Sequence, residues 1–139
     1  MNLIDEIKLS EGFRSRPYKC TEGYLTIGWG FAIKDLVIEE DIADLILMRK
    51  IQKLLERLIV AFPWFKNSPD EVKSVVTNIC YQMDINGFKK FKKTIYLLET
   101  EQYEDASIEM LDSKWAREQT PRRAKELSER LASVKKQSC

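Results

Sequence analysis

At 139 residues, 44% hydrophobic and 32% charged, the chain has the make-up of one globular domain with room for a single core. Its 23 basic and 22 acidic residues leave a net charge of +1, which supplies no overall field toward nucleic acid or membrane. Histidine is absent, which excludes Ser-His-Asp and Cys-His nucleophilic machinery, a His-ligated zinc site and a histidine general base.

In chain order, Leu3, Ile4 and Ile7 stand at helical spacing behind Asn2, a candidate N-cap, and Gly12 is the expected stop. Glu11 then falls in the last turn, where an acid opposes the negative end of the helix dipole; the position is poor for stability and points to another role. The run Tyr18-Lys19-Cys20-Thr21-Glu22-Gly23-Tyr24-Leu25-Thr26-Ile27 predicts a β-hairpin. A loop at Glu22–Tyr24 would set Cys20 directly opposite Thr26. Gly28-Trp29-Gly30 is expected to break the second strand and admit a close approach to backbone.

Beyond the hairpin the chain reads as helical. A long connecting helix is predicted over about 39–62, ending at Pro63. Ser68-Pro69-Asp70-Glu71 offers Ser68 as N-cap of the next helix, with Pro69 at N1 and Glu71 at N3. Through Val72, Val75, Val76, Ile79 and Cys80 that helix is the most apolar segment, and Asp84-Ile85-Asn86-Gly87 is expected to close it. Shorter helices are predicted at about 91–99 and 102–111, and a last one after Thr120-Pro121. Three widely spaced cysteines (Cys20, Cys80, Cys139) suit neither a disulfide framework nor a metal site and point to synthesis in a reducing compartment. Cys80 reads as core filler and Cys139 as a mobile terminal thiol. The N-terminus, Met1-Asn2-Leu3-Ile4-Asp5-Glu6, is acidic and lacks a long apolar h-region, so no signal peptide is expected, and no stretch approaches 18 apolar residues, so stable membrane insertion is not expected either.

Glu11, Cys20 and Thr26 are spaced by eight and five residues. On residue types alone they read as a surface acid, a core-facing thiol and a strand hydroxyl. The frame nevertheless resembles the active-site segment of the phage-type lysozymes, endolysins of glycoside hydrolase family 24, whose signature is Glu, eight residues, Asp or Cys, five residues, Thr. Tyr81-Gln82-Met83, Gly87, Phe91, Thr94, Asp112-Ser113-Lys114-Trp115 and Gln119-Thr120-Pro121-Arg122-Arg123-Ala124 extend the resemblance over most of the chain.

The resemblance implies an α+β, predominantly helical, lysozyme-like two-lobe domain spanning 1–139. Its small N-terminal lobe would cover about 12–38, and its helical lobe about 63–139 together with helix 1–11. It implies a muramidase that hydrolyses the β-1,4 bond between N-acetylmuramic acid and N-acetylglucosamine without metal or cofactor. Glu11 would be the general acid, with Cys20 and Thr26 positioning or activating the nucleophile. Tyr81, Gln82 and Thr94, and by position Ala32 and Glu109, would contact the glycan. A monomer made in the host cytoplasm, acting on peptidoglycan strands after release by a holin, is also implied. Cys20 stands where many members carry Asp, and Phe31 where many carry His. A thiol is mostly neutral at pH 7, so Cys20 reads equally as nucleophile, weak base or hydrogen-bonding partner. These departures support the rival reading, a non-catalytic wall-binding or regulatory domain.

Phe88-Lys89-Lys90-Phe91-Lys92-Lys93 carries +4, and residues 113–139 hold eight basic against three acidic groups. Phe88 and Phe91 are expected to pack inward and leave the lysines solvated, so nucleic acid is not an expected partner.

Overall fold

The computed structural model describes residues 2–135. Asn2 caps the first helix, α1 (Leu3–Glu11), its side chain accepting from the Asp5 N–H at 2.9 Å. Gly12 ends that helix at φ 74°, its N–H donating to the Lys8 carbonyl. Three antiparallel strands follow in the order β1-β2-β3: β1 (Arg14–Lys19), β2 (Leu25–Gly28) and β3 (Phe31–Ala32). The β1–β2 register slips between Arg14, opposite Gly28, and Tyr18, opposite Thr26. Pro17 sits within that irregularity on an edge strand, where its missing N–H is tolerated. The two-residue β3 was not foreseen. A 3-10 turn at Ile33–Asp35 follows it.

The remainder is helical: α2 (Glu40–Ala61), α3 (Asp70–Phe88), α4 (Lys92–Glu99), α5 (Tyr103–Glu109) and α6 (Pro121–Ala132), with a π-helical turn at Trp115–Gln119 that the periodicity did not reveal. The chain forms two compact units, Met1–Leu45 and Ile46–Cys139, whose boundary falls inside α2. Cys139 lies outside the described residues.

In the second unit α6 packs on α3 and α5, and α4 on α5. Its core includes Leu58, Phe65, Val72, Val75, Val76, Phe88, Met110 and Leu131, all essentially inaccessible. Aromatic rings run through it in sequence: Phe62 meets Phe88 edge-on at 5.8 Å, Phe88 meets Phe91 at 5.9 Å, and Phe91 meets Trp115 at 6.2 Å. Both phenylalanines of the lysine-rich segment therefore turn inward, as expected. Phe88→Ala is expected to lower unfolding free energy by about 3–5 kcal/mol, from lost burial plus an unfilled cavity. Urea denaturation followed by circular dichroism measures this; a loss below about 1 kcal/mol would show that the ring is not a core element. Cys80 is 2% exposed, and burial, with a smaller contribution from the Asp84 charge, pushes its thiol up to about 12, so it acts as apolar filler.

One expectation about α3 is corrected. Pro69, not Ser68, occupies the cap position, because the Ser68 hydroxyl donates back to the Trp64 carbonyl at 2.8 Å. The closure expected at Asp84-Ile85-Asn86-Gly87 is observed: the long helix breaks at Asp84, and one further short helical stretch runs to Phe88. Asp84 sits at φ 65°, ψ 166°, a region glycine occupies freely and other residues only at a cost of order 1–3 kcal/mol. Its carboxylate accepts from the Ile85 N–H and pairs with Arg57 Nη1 at 3.1 Å, and these contacts, the Ile85 bond foremost, hold it below the ordinary carboxylate range.

A carboxyl with a lowered folded pKa contributes stability above its unfolded pKa and loses it as pH falls through the folded value. The stability difference between wild type and Asp84→Asn should therefore be present at pH 7 and shrink in strong acid. Urea melts at both pH values read it, and a pH-independent difference would refute the ionic contribution.

Candidate active site

Glu11 is placed by the last turn of α1, and the side chain lies against the β2–β3 turn. A Cβ built on Gly30 would overlap Glu11 Oε2 and stand 2.8 Å from its Cδ. Gly30 also has φ 79°, a conformation that L side chains rarely adopt, so glycine is required here both for backbone shape and to make room for the acid. The close approach expected at Gly28-Trp29-Gly30 is thus the approach of a carboxylate. Trp29 fastens the two elements together: the Lys8 ammonium of α1 lies 5.1 Å from its ring centroid and the Phe13 ring 5.2 Å away. Sequence reasoning missed Lys8, Phe13 and Trp29 as positioning residues; the one available signal was a tryptophan held between two glycines. Phe31 covers the same turn, two of its ring carbons standing 2.8 Å from where a Cβ on Gly28 would be.

The hairpin register differs from the expected one. Thr26 stands opposite Tyr18 and Lys19 opposite Leu25, and the Cys20 N–H donates to the Tyr24 carbonyl. The loop is Thr21-Glu22-Gly23, one residue earlier than predicted, because Gly23 at φ 87° takes the left-handed third loop position. Cys20 and Thr26 are consequently diagonal neighbours rather than directly opposed, though still on one face of the sheet. Thr26 is 5% exposed and its hydroxyl donates to the Tyr24 carbonyl at 3.2 Å, which leaves its lone pairs free to accept. The Cys20 thiol is held below its ordinary value mainly by a backbone hydrogen bond from Tyr24, then by one from Glu22, with a further contribution from the Thr26 side chain. Ala32 pairs with Thr26 across β2–β3.

The first unit thus gathers Glu11, Cys20, Thr26 and Ala32 around one small sheet. The other candidates belong to the second unit. Tyr81 and Gln82 are exposed on α3, Glu109 is half-buried at the end of α5, and Thr94, 2% exposed, is the least accessible of the five glycan-contact candidates. Gln82 Oε1 accepts from the Trp115 indole N–H at 3.0 Å, which fixes the amide's orientation and ties α3 to the π-helical turn. Tyr81 lines a cavity of about 620 Å³ together with Leu47, Ile51, Leu55, Thr77 and Asn78.

A family model described as phage lysozyme matches residues 8–133. The chain belongs to the phage lysozyme family. Two similar proteins of Dictyostelium discoideum, probable T4-type lysozymes 1 and 2, are each 30% identical to it over 162 aligned positions, covering 96% of this chain and 92% of the relative. As a phage-type lysozyme the chain is a glycosidase of a family that acts on peptidoglycan, with the α+β lysozyme-like fold expected from its sequence. Among the described residues of this lysozyme, no helix is long and apolar enough to cross a membrane.

Proposed function

We propose that the chain is a muramidase that hydrolyses the β-1,4 bond between N-acetylmuramic acid and N-acetylglucosamine. The observation that carries this reading is the seating of the Glu11 carboxylate against Gly30, on the turn of the sheet that bears Thr26 and Cys20. Glu11 protonates the glycosidic oxygen as the bond breaks. The Thr26 hydroxyl, already donating to Tyr24, accepts a hydrogen bond from a water that attacks the anomeric carbon as the glycosidic C–O bond breaks, and the proton this water loses passes to bulk solvent. Cys20 positions or activates this nucleophile from the same face. Tyr81 offers a ring face to a sugar, and Gln82, its amide oriented by Trp115, offers hydrogen bonds; Thr94, Ala32 and Glu109 complete the set of glycan contacts. Residues 1–139 act as one lysozyme-like domain without metal or cofactor. The enzyme works as a monomer, is made in the host cytoplasm, and reaches the wall through a membrane-permeabilising partner such as a holin.

Digestion of purified Gram-negative peptidoglycan, with the fragments read by mass spectrometry, tests the proposal. Fragments ending in reducing N-acetylmuramic acid are expected. Anhydro-muramic ends would mean a lytic transglycosylase and would remove the water-holding role of Thr26. Binding without fragments would leave a non-catalytic wall-binding domain.

A further inference from the structure

We propose that Trp29 is a decoy for the Lys8 ammonium: its ring draws that charge away from Glu11, a reading that rests on Glu11 being the acid. Lys8 and Glu11 stand three residues apart in the last turn of α1, the spacing at which opposite charges ordinarily meet on a helix surface. The two form no ion pair. The ammonium lies 5.1 Å from the Trp29 ring centroid, while the carboxylate lies against Gly30, the next residue of the same turn.

Neighbouring cations are disposed in the same way. Arg14 lies 5.1 Å from the Tyr18 ring centroid, and Lys34 lies 4.1 Å from that of Tyr24. Three cation–π contacts within Met1–Leu45 exceed the usual density of about one per 70–80 residues. Among the described residues of that unit no ion pair forms, whereas the four ion pairs of the chain all lie at or beyond Arg57. The aromatic rings of the small sheet are where its cations go, and its carboxylates are left without them.

The chemistry of a general acid gives this arrangement a purpose. The acid must keep its proton until the departing oxygen takes it. An ammonium in contact favours the ionised carboxylate, which has no proton to give. Pairing would also draw the side chain along the helix and off Gly30, out of its place for reaction. The turn that receives Glu11, Gly28-Trp29-Gly30 with Phe31 beside it, carries no charge, and the other charges of α1, Asp5 and Glu6, fall in its first turn. Lys8 is therefore the cation to be diverted. A ring face does this without bringing a second negative charge near the acid, as a carboxylate partner for Lys8 would.

The test is a carbon-13 NMR titration of the Glu11 side-chain carboxyl, which needs no turnover. In Trp29→Leu the carboxyl should give up its proton about 0.3 pH unit lower than in wild type, the worth of an exposed ion pair on a helix. Adding Lys8→Met to Trp29→Leu should return the midpoint to the wild-type value or above it. Trp29→Phe, which keeps a ring face, should titrate like wild type. Cleavage should fall about tenfold in Trp29→Leu, as the acid is drawn aside, and recover in the double variant. A contact that served only to fasten α1 to the sheet could not be repaired by removing its second member. A Trp29→Leu midpoint equal to that of wild type, or a double variant that titrates like Trp29→Leu, would overturn the proposal. If Trp29→Leu does not fold, the Lys8 ε-methylene protons of wild type decide: an upfield ring-current shift is expected, and unshifted resonances overturn the proposal. The titration is read without cleavage, so wild-type protein that releases no fragments defeats the muramidase reading alone, and a failed titration in a protein that does cleave defeats the decoy alone.

Discussion

Glu11→Gln is expected to reduce peptidoglycan cleavage by about 10²–10⁴-fold, the usual contribution of a positioned general acid. The amide is nearly isosteric, so it can occupy the same place against Gly30, but it has no proton to give the departing oxygen. Thermal stability should hold or rise slightly, because the substitution removes an acid from the C-terminal turn of α1. Release of soluble fragments from dye-labelled wall gives the rate, and a circular dichroism melt gives the stability. A variant that cleaves at the wild-type rate would place the acid elsewhere. A variant that loses activity only because it melts would show a structural residue.

The second large effect is expected at Gly30, where two costs can be separated by a control. Alanine at φ 79° carries a backbone penalty of about 1–2 kcal/mol. At Gly30 the new Cβ would also push the Glu11 carboxylate out of place, and displacement of a reacting group by about 1 Å can lower a rate by about 10²-fold. Gly23 has a similar φ of 87° but nothing within 4 Å of its missing Cβ. Gly23→Ala should therefore lose comparable stability and keep its activity, while Gly30→Ala should lose both. Equal activity in the two variants, measured below either melting temperature, would show that the contact with Glu11 does not position the acid.

The sequence was most informative where local chemistry decides the outcome. Asn2 and Gly12 delimit α1 because a side-chain cap and a left-handed glycine act within one turn. The C-terminal limit of α2 is equally local, ending just before Pro63. The hairpin was legible but its register was not, since alternation alone cannot say which three residues form the loop; the left-handed Gly23 decides it. Ser68 has all the marks of an N-cap, yet its hydroxyl is better used on the Trp64 carbonyl, a choice set by how the aromatic loop folds. The stop at Asp84-Ile85-Asn86-Gly87 was legible, but the shape of the break was not, because an arginine 27 residues earlier helps hold Asp84 in it.

The candidate site shows the same division. Spacing and resemblance named Glu11, Cys20 and Thr26, and the glycines announced a close approach. The hold of Lys8 and Phe13 on Trp29 depends on two elements meeting in space, and no periodicity carries that.

The distribution of buried side chains bears on how the protein comes apart. Among the described residues every buried hydrophobic lies at or beyond Leu54, while within Met1–Leu45 only Thr26 is buried. Protection against hydrogen exchange should accordingly be deepest in α3, α5 and α6, with amides of the small sheet exchanging through openings that need far less than global unfolding. The element bearing the acid would then be a separate, shallow foldon. Mild heat or denaturant should silence hydrolysis while most of the helical signal is intact, and on return to mild conditions activity should recover as quickly as the hairpin closes.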